Sequence, residues 1–249
     1  MYNDTHLNVL ISYAYLYGQD AFLSYTKEQT NKGVINLMID SGAFTKFNSK
    51  SKMSHVNVAD YCNFLQEWQN YCEKYVMLDV VGNEDKSRAN YEIMLNRGLN
   101  PMFVMTMFDK DYNYMRNAVA NQPHVCVAGG VTTKSDWMTK RFQDIYRESN
   151  NEAKIHGLGY VTFPKMMQLP LHSVDSSSWS ASIRFGALPY FSNGMKSIDY
   201  RKVLARKEKL TLQEQSLLSS IKVTPKMFCN KLYHRGQSSI GCLLAIKAH

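Results

Sequence analysis

Nowhere in the sequence do about 18 apolar residues run together, so no membrane-spanning helix is expected. The opening Met1-Tyr2-Asn3-Asp4 lacks the basic start and apolar core of an export signal. Cysteine is sparse. Cys62, Cys72, Cys126, Cys229 and Cys242 are odd in number and widely spaced, which points to reduced thiols and a cytoplasmic location. No G-x-G-x-x-G or G-x-x-x-x-G-K-[ST] follows an apolar run, so dinucleotide and P-loop chemistry lack their glycine signature. Low-complexity segments and linkers are missing from residues 1–195. With 249 residues, 45% of them hydrophobic and 20% charged, the chain can bury a core without a disulfide or a structural metal.

Acidic residues are scarce in one place. Residues 200–249 hold 10 basic and 2 acidic residues, whereas residues 1–199 hold 19 of each. The whole net charge of +8 therefore sits in the last fifty residues. A localised positive patch is the electrostatic footprint of a polyanion-binding surface. The bland alternative is a solvated tail that aids solubility. Residues 200–209 and 212–221 read as two basic or polar helices. Arg201, Lys202, Arg206, Lys207 and Lys209 are the candidate phosphate contacts, with 202 and 206 on one helical face.

Upstream, short apolar runs alternate with amphipathic stretches. Strands are expected at 7–13, 36–44, 75–82, 101–107, 124–131, 154–161 and 171–179, with an eighth within 183–191. Continuous rather than alternating apolar character suits buried parallel strands. Asn57 can cap a helix carrying Tyr61, Phe64, Leu65, Trp68 and Cys72. A second runs from about Asn83 to Gly98, a third opens at Asp109, and a fourth opens at Ser135. The aromatic and methionine stripes along these helices are expected core contacts. This alternation predicts an α/β fold, most simply a (β/α)₈ TIM barrel over residues 1–195 with a basic C-terminal helical extension at 196–249. A doubly wound open sheet is the alternative.

In a barrel, chemistry collects at the C-terminal ends of the strands. Here those ends read Asp40-Ser41-Gly42-Ala43-Phe44, Leu78-Asp79, Gly129-Gly130, His156-Gly157-Leu158-Gly159 and His172-Ser173-Val174-Asp175. A carboxylate inside an apolar run is costly unless paired or used. One such aspartate reads as a structural cap; three at corresponding strand ends read as a site. Paired glycines let a flat ligand approach the backbone closely. Aspartates can act as nucleophile, as acid and base, or as acceptor for a guanine-type pair of N–H groups.

In that order, D-S-G-x-[FY], L-D, G-G, G-x-G and V-D resemble the tRNA-guanine transglycosylase superfamily, over residues 37–179. Those enzymes are TIM barrels that exchange guanine for a 7-deazaguanine. The resemblance implies that Asp175 is the nucleophile on the anomeric carbon. Asp40 would handle the protons of the leaving and entering bases, with Ser41 beside it in the base pocket. Phe44 would stack on the base, Asp79 would read its edge, Gly129 and Gly130 would contact it through the backbone, and His156 would cover its other face. No cofactor is implied.

Departures from the tRNA enzymes narrow the resemblance. Their C-x-C-x-x-C…H zinc cluster is absent, and Cys229, His234, Cys242 and His249 have no standard zinc spacing. Asp175 is followed by Ser-Ser-Ser-Trp, and the chain is short for that family. These features are more similar to compact phage-encoded paralogues that insert 7-deazaguanines into DNA in the bacterial host cytoplasm. DNA and a 7-deazaguanine base are then the expected partners, with the basic tail as clamp. A tRNA substrate, a non-catalytic subunit and a barrel glycosidase remain the alternatives.

Overall fold

The computed structural model describes residues 7–49, 53–106, 109, 111–128, 135–160, 169, 171–176, 187–192, 197–202, 210–220 and 224. The chain divides into two compact units, Met1–Leu158 with Leu171–Asp175, and Gly159–Pro170 with Ser176–His249.

The first unit carries the parallel strands that the apolar runs predict. β1 (Leu7–Ser12), β2 (Ile35–Asp40) and β3 (Lys74–Tyr75) pair in that order. β4 (Phe103–Met105), β5 (His124–Val127), β6 (Lys154–Gly157) and β7 (Leu171–Val174) pair in theirs. Every neighbouring pair is parallel, and an isolated parallel bridge between Val76 and Met102 joins the two sheets. Spatial order follows chain order throughout these described strands. A doubly wound sheet instead reverses its order at a switch point.

Helices fill the crossovers: α1 (Asp20–Asn31), α2 (Ala43–Asn48), α3 (Val58–Trp68), α4 (Glu84–Asn96), α5 (Tyr112–Asn121) and α6 (Ser135–Glu148). Asn57 caps α3 by accepting from the Asp60 N–H at 2.9 Å, and Asn83 caps α4 by accepting from the Lys86 N–H at 2.9 Å. Acidic first turns, Asp60 in α3 and Glu84 with Asp85 in α4, complement the positive end of each helix dipole. Just past α4, Gly98 takes φ +75°, the left-handed geometry of a helix stop. The cap of α5 is Asp111, which accepts from the Asn113 N–H, and not Asp109. Asp109 turns inward and accepts from the Thr106 N–H instead.

The expected stripes are mostly core, although Phe64, Tyr112, Trp137 and Tyr146 are only half-buried. Tyr61, Leu65, Trp68, Met115, Met138, Phe142 and Ile145 are buried, beside Met77, Met94 and Met102. Each large apolar side chain so buried stabilises the fold by about 1.5–3 kcal/mol relative to exposure. α1 was not expected. It is polar, buries only Thr26, and leaves Phe22 and Tyr25 exposed, so its sequence carries no apolar stripe.

The second unit departs from expectation. β8 (Ala187–Ser192) and β9 (Ser197–Lys202) pair antiparallel, from Ala187 with Lys202 to Ser192 with Ser197. The helix expected over 200–209 is therefore corrected, because Tyr200, Arg201 and Lys202 are strand residues. The run within 183–191 joins this hairpin and not the parallel set, among the described residues. The expected boundary after residue 195 falls between the two paired strands. The second expected tail helix is present as α7 (Leu212–Ser220). Among the described residues no helix is long and apolar enough to cross a membrane.

Candidate active site

Asp40 ends β2 opposite Ser12 of β1, its register partner. The chain then turns sharply. Gly42 adopts φ +80°, and its N–H donates to Asp40 Oδ2 at 3.0 Å. A Cβ at Gly42 would sit 2.5 Å from the Ala14 Cβ, so only glycine fits this turn without displacement. Burial pushes the Asp40 carboxyl above its usual range and the charge of Asp175 adds to this, while the Ser12 hydroxyl and the Gly42 and Ser41 amides oppose it. Ser41 is fully buried beside it. Phe44 lies on α2, one turn further along than a strand end, and is 52% exposed.

Asp79 follows β3 in a tight turn in which its N–H meets the Met77 carbonyl at 3.2 Å. α4 holds this segment from behind. Asn90 Nδ2 donates to the Leu78 carbonyl at 2.9 Å, and the Val80 N–H donates to Ser87 Oγ at 2.8 Å. Burial, reinforced by the charges of Asp40 and Asp109, pushes the Asp79 carboxyl up to about 7.

The third carboxylate comes from β7. Cys126 on β5 pairs with His156 on β6, which pairs with Ser173 on β7. Register partners in a parallel sheet project to the same face, and residues two apart on a strand share a face. Cys126, His156, Ser173 and Asp175 therefore belong to one face. His156 Nδ1 lies 2.8 Å from Ser173 Oγ, and His156 Nε2 lies 3.4 Å from Asp175 Oδ1. The His156 ring is 2% exposed, packed against the carboxylate that β7 presents.

These strand ends converge. Burial drives the Cys126 thiol far up, and Asp40, Asp175 and Asp79 all add their charges to it. The aspartates that follow β2, β3 and β7 thus all lie within electrostatic reach of one buried thiol. A thiol held protonated is a poor nucleophile, so Cys126 is a wall of the site and not its reagent. Tyr61, fully buried on α3, donates to the Val76 carbonyl at 2.8 Å, and burial together with Asp40 holds its hydroxyl protonated.

Of the expected site residues, Asp40, Ser41, Asp79, His156 and Asp175 come together, and Phe44 follows Asp40 on the adjoining helix. Gly129, Gly130, Arg206, Lys207 and Lys209 lie outside the described residues, as do Cys229, His234, Cys242 and His249. Arg201 and Lys202 belong to β9. Sequence reasoning missed Ser12, Cys126 and Ser173. The S-x-D spacing of Ser173 and Asp175 was the available signal, because it places both on one face of a strand.

No protein-family model matches the chain, and no curated protein matches it. Two carboxyls with raised pKa values beside a third suit proton transfer and nucleophilic displacement in a site of low polarity.

Proposed function

We propose that this chain is a transglycosylase that exchanges guanine in DNA for a 7-deazaguanine base through an aspartyl glycosyl-enzyme. The observation that supports this reading is that Asp40, Asp79 and Asp175 stand at or just past the C-terminal ends of the parallel strands β2, β3 and β7. On this reading the parallel strands are the greater part of a (β/α)₈ barrel. Their sequential order and the carboxylates at their C-terminal ends support that architecture.

In the first step an Asp175 oxygen bonds to C1′ of the sugar as the C1′–N9 bond breaks. The electron pair goes to guanine N9, and Asp40, whose carboxyl burial pushes above its usual range, gives it a proton. In the second step N9 of the incoming base attacks C1′. The ester pair returns to Asp175, and the N9 proton passes to Asp40. Asp79 in its carboxylate form accepts the N1–H and N2–H of either base, Phe44 stacks on it, and Gly129 with Gly130 supply backbone contacts. A base lacking that pair of N–H groups leaves a buried acceptor unsatisfied, so the site rejects it. DNA is the polymer and the basic C-terminal residues are its clamp. The target nucleotide leaves the stack to reach the site, at a cost of a few kcal/mol.

A serine-hydrolase reading would use Ser173, His156 and Asp175, but it leaves Asp40 and Asp79 without a task. The deciding experiment incubates the protein with labelled guanine and either duplex DNA, single-stranded DNA or tRNA, then digests the polymer and measures nucleosides by mass spectrometry. Label in deoxyguanosine supports the reading. Label only in tRNA moves the activity to the RNA polymer, and label in neither removes it.

A further inference from the structure

On β6 a buried imidazole, His156, stands beside Asp175, where packing alone does not require a polar ring. His156 is 2% exposed, with Nδ1 at 2.8 Å from Ser173 Oγ and Nε2 at 3.4 Å from Asp175 Oδ1. The Nε2 atom is buried and makes no hydrogen bond of good geometry, although it lies within ion-pair distance of the carboxylate. A buried polar nitrogen left in this state is unfavourable, and an apolar side chain would avoid the cost.

The arrangement depends on an irregularity in β7. Ile155 pairs with Leu171, yet the next residue, His156, pairs with Ser173, so His172 is one residue extra on the β7 side. Such a bulge resets the alternation of faces. Without it, His156 would stand opposite His172, and Ser173 and Asp175 would both fall on the other face. With it, all three side chains meet.

We propose that His156 is a positioning residue for the nucleophile and that it acts chiefly on breakdown of the glycosyl-enzyme. This rests on the base-exchange reading of the site. The Ser173 hydroxyl donates to Nδ1, which leaves the ring proton on Nε2, aimed at Asp175 Oδ1. In the first step the carboxylate loses its charge as it forms the ester, so a ring N–H at 3.4 Å, not yet a formed hydrogen bond, does not favour that step. In the second step the C1′–O bond breaks and the charge returns to Asp175. The Nε2–H then stabilises the leaving carboxylate where charge develops, which is where a fixed donor contributes most. Asp40, Cys126 and His172 are the other titratable groups near this pair.

The test uses the full-length protein with a guanine-containing DNA oligonucleotide and labelled guanine as the probe. Parent, His156→Leu, His156→Gln and Ser173→Ala are compared for exchange rate and for the share of protein trapped as a DNA ester on a denaturing gel. His156→Leu is expected to lower kcat about 10–100-fold, to lower KM with it, and to raise the trapped share several-fold. His156→Gln restores an N–H donor and should recover most of the rate, and Ser173→Ala should lie between. A His156→Leu protein that loses ester and exchange in proportion, with Gln no better than Leu, overturns the proposal. If the parent exchanges no base on any polymer, the base-exchange reading fails first. The side-chain geometry is then judged alone by ¹⁵N NMR of labelled histidine. An Nε2–H tautomer at His156 that responds to Asp175→Asn sustains the assigned contact, and an Nδ1–H tautomer overturns it.

Discussion

Asp40 at the end of β2 and Asp175 at the end of β7 lie near enough for the charge of one to raise the carboxyl pKa of the other. A negative charge beside a carboxyl favours its protonated form. Burial is the larger cause at Asp40, and on the proposed reading Asp40 is the proton carrier and Asp175 the nucleophile. Asp40→Asn should lower exchange by about 10²–10⁴-fold, the usual worth of a general acid–base group. Asp175→Asn should abolish both exchange and the trapped ester. Label incorporation and a denaturing gel read the two. Near-normal exchange by Asp175→Asn would remove it as nucleophile.

Asp79 gives a pH prediction with a definite sign. Its carboxyl titrates near 7 in the fold against about 3.9 in an unfolded chain. Between those values the unfolded state has released the proton and the native state has not. Stability contributed by this group is therefore present below about pH 4, is lost as pH rises toward 7, and changes no further above it. Asp79→Asn removes that loss. The variant should gain about 2–4 kcal/mol over the parent at pH 8 and close to nothing at pH 4, by urea unfolding at both values. Base binding should move oppositely, strengthening in the parent as Asp79 ionises and failing in the variant at every pH. An equal stability gain at both pH values would contradict burial as the cause.

The strand ends were legible because a charge stands out in an apolar run. Leu37 to Ile39 and Tyr75 to Leu78 read as buried strand, so Asp40 and Asp79 are conspicuous in the sequence alone. Asn57 and Asn83 were legible as caps because their side chains do local work. α1 was not, since it buries little and shows no stripe. The hairpin of β8 and β9 was missed although Asn193-Gly194, a strong hairpin dipeptide, lies between its strands. The contact of His156 with Asp175 was not legible, because it depends on a one-residue register shift that no local pattern announces.

Gly42 tests the turn that carries Asp40. Alanine there faces two penalties, a positive φ and a Cβ only 2.5 Å from the Ala14 Cβ. Gly42→Ala should destabilise the protein by about 2 kcal/mol or more and displace the Asp40 Oδ2 contact to the Gly42 amide. Adding Ala14→Gly removes the clash and leaves the φ strain, so the double variant should recover part of the stability. Thermal unfolding of the single and double variants measures both penalties. A Gly42→Ala protein as stable as the parent would show that the backbone accommodates the change.

The last prediction concerns the polymer, and it rests on where the charge lies. Residues 1–199 are balanced, with 19 basic and 19 acidic residues, and residues 200–249 hold the whole excess. Long-range attraction to phosphate must then come from the C-terminal fifty residues. Because Arg201 and Lys202 lie in β9, the helical pairing of Lys202 with Arg206 no longer holds, and the five cations are better tested as two groups. Neutralising Arg201 and Lys202 to Gln, and separately Arg206, Lys207 and Lys209, should each weaken DNA binding. Each should also reduce the slope of log affinity against log salt, by about 0.9 for every duplex phosphate that the protein no longer neutralises. Binding of free guanine should be unchanged in both variants, since Asp40, Asp79 and Asp175 belong to the other compact unit. Fluorescence anisotropy of a labelled duplex at several salt concentrations, beside calorimetry with free guanine, separates these effects. An unchanged slope in both variants would make the C-terminal charge a solvated surface. Loss of tRNA exchange in the variants, from a parent inactive on DNA, would assign the clamp to RNA instead.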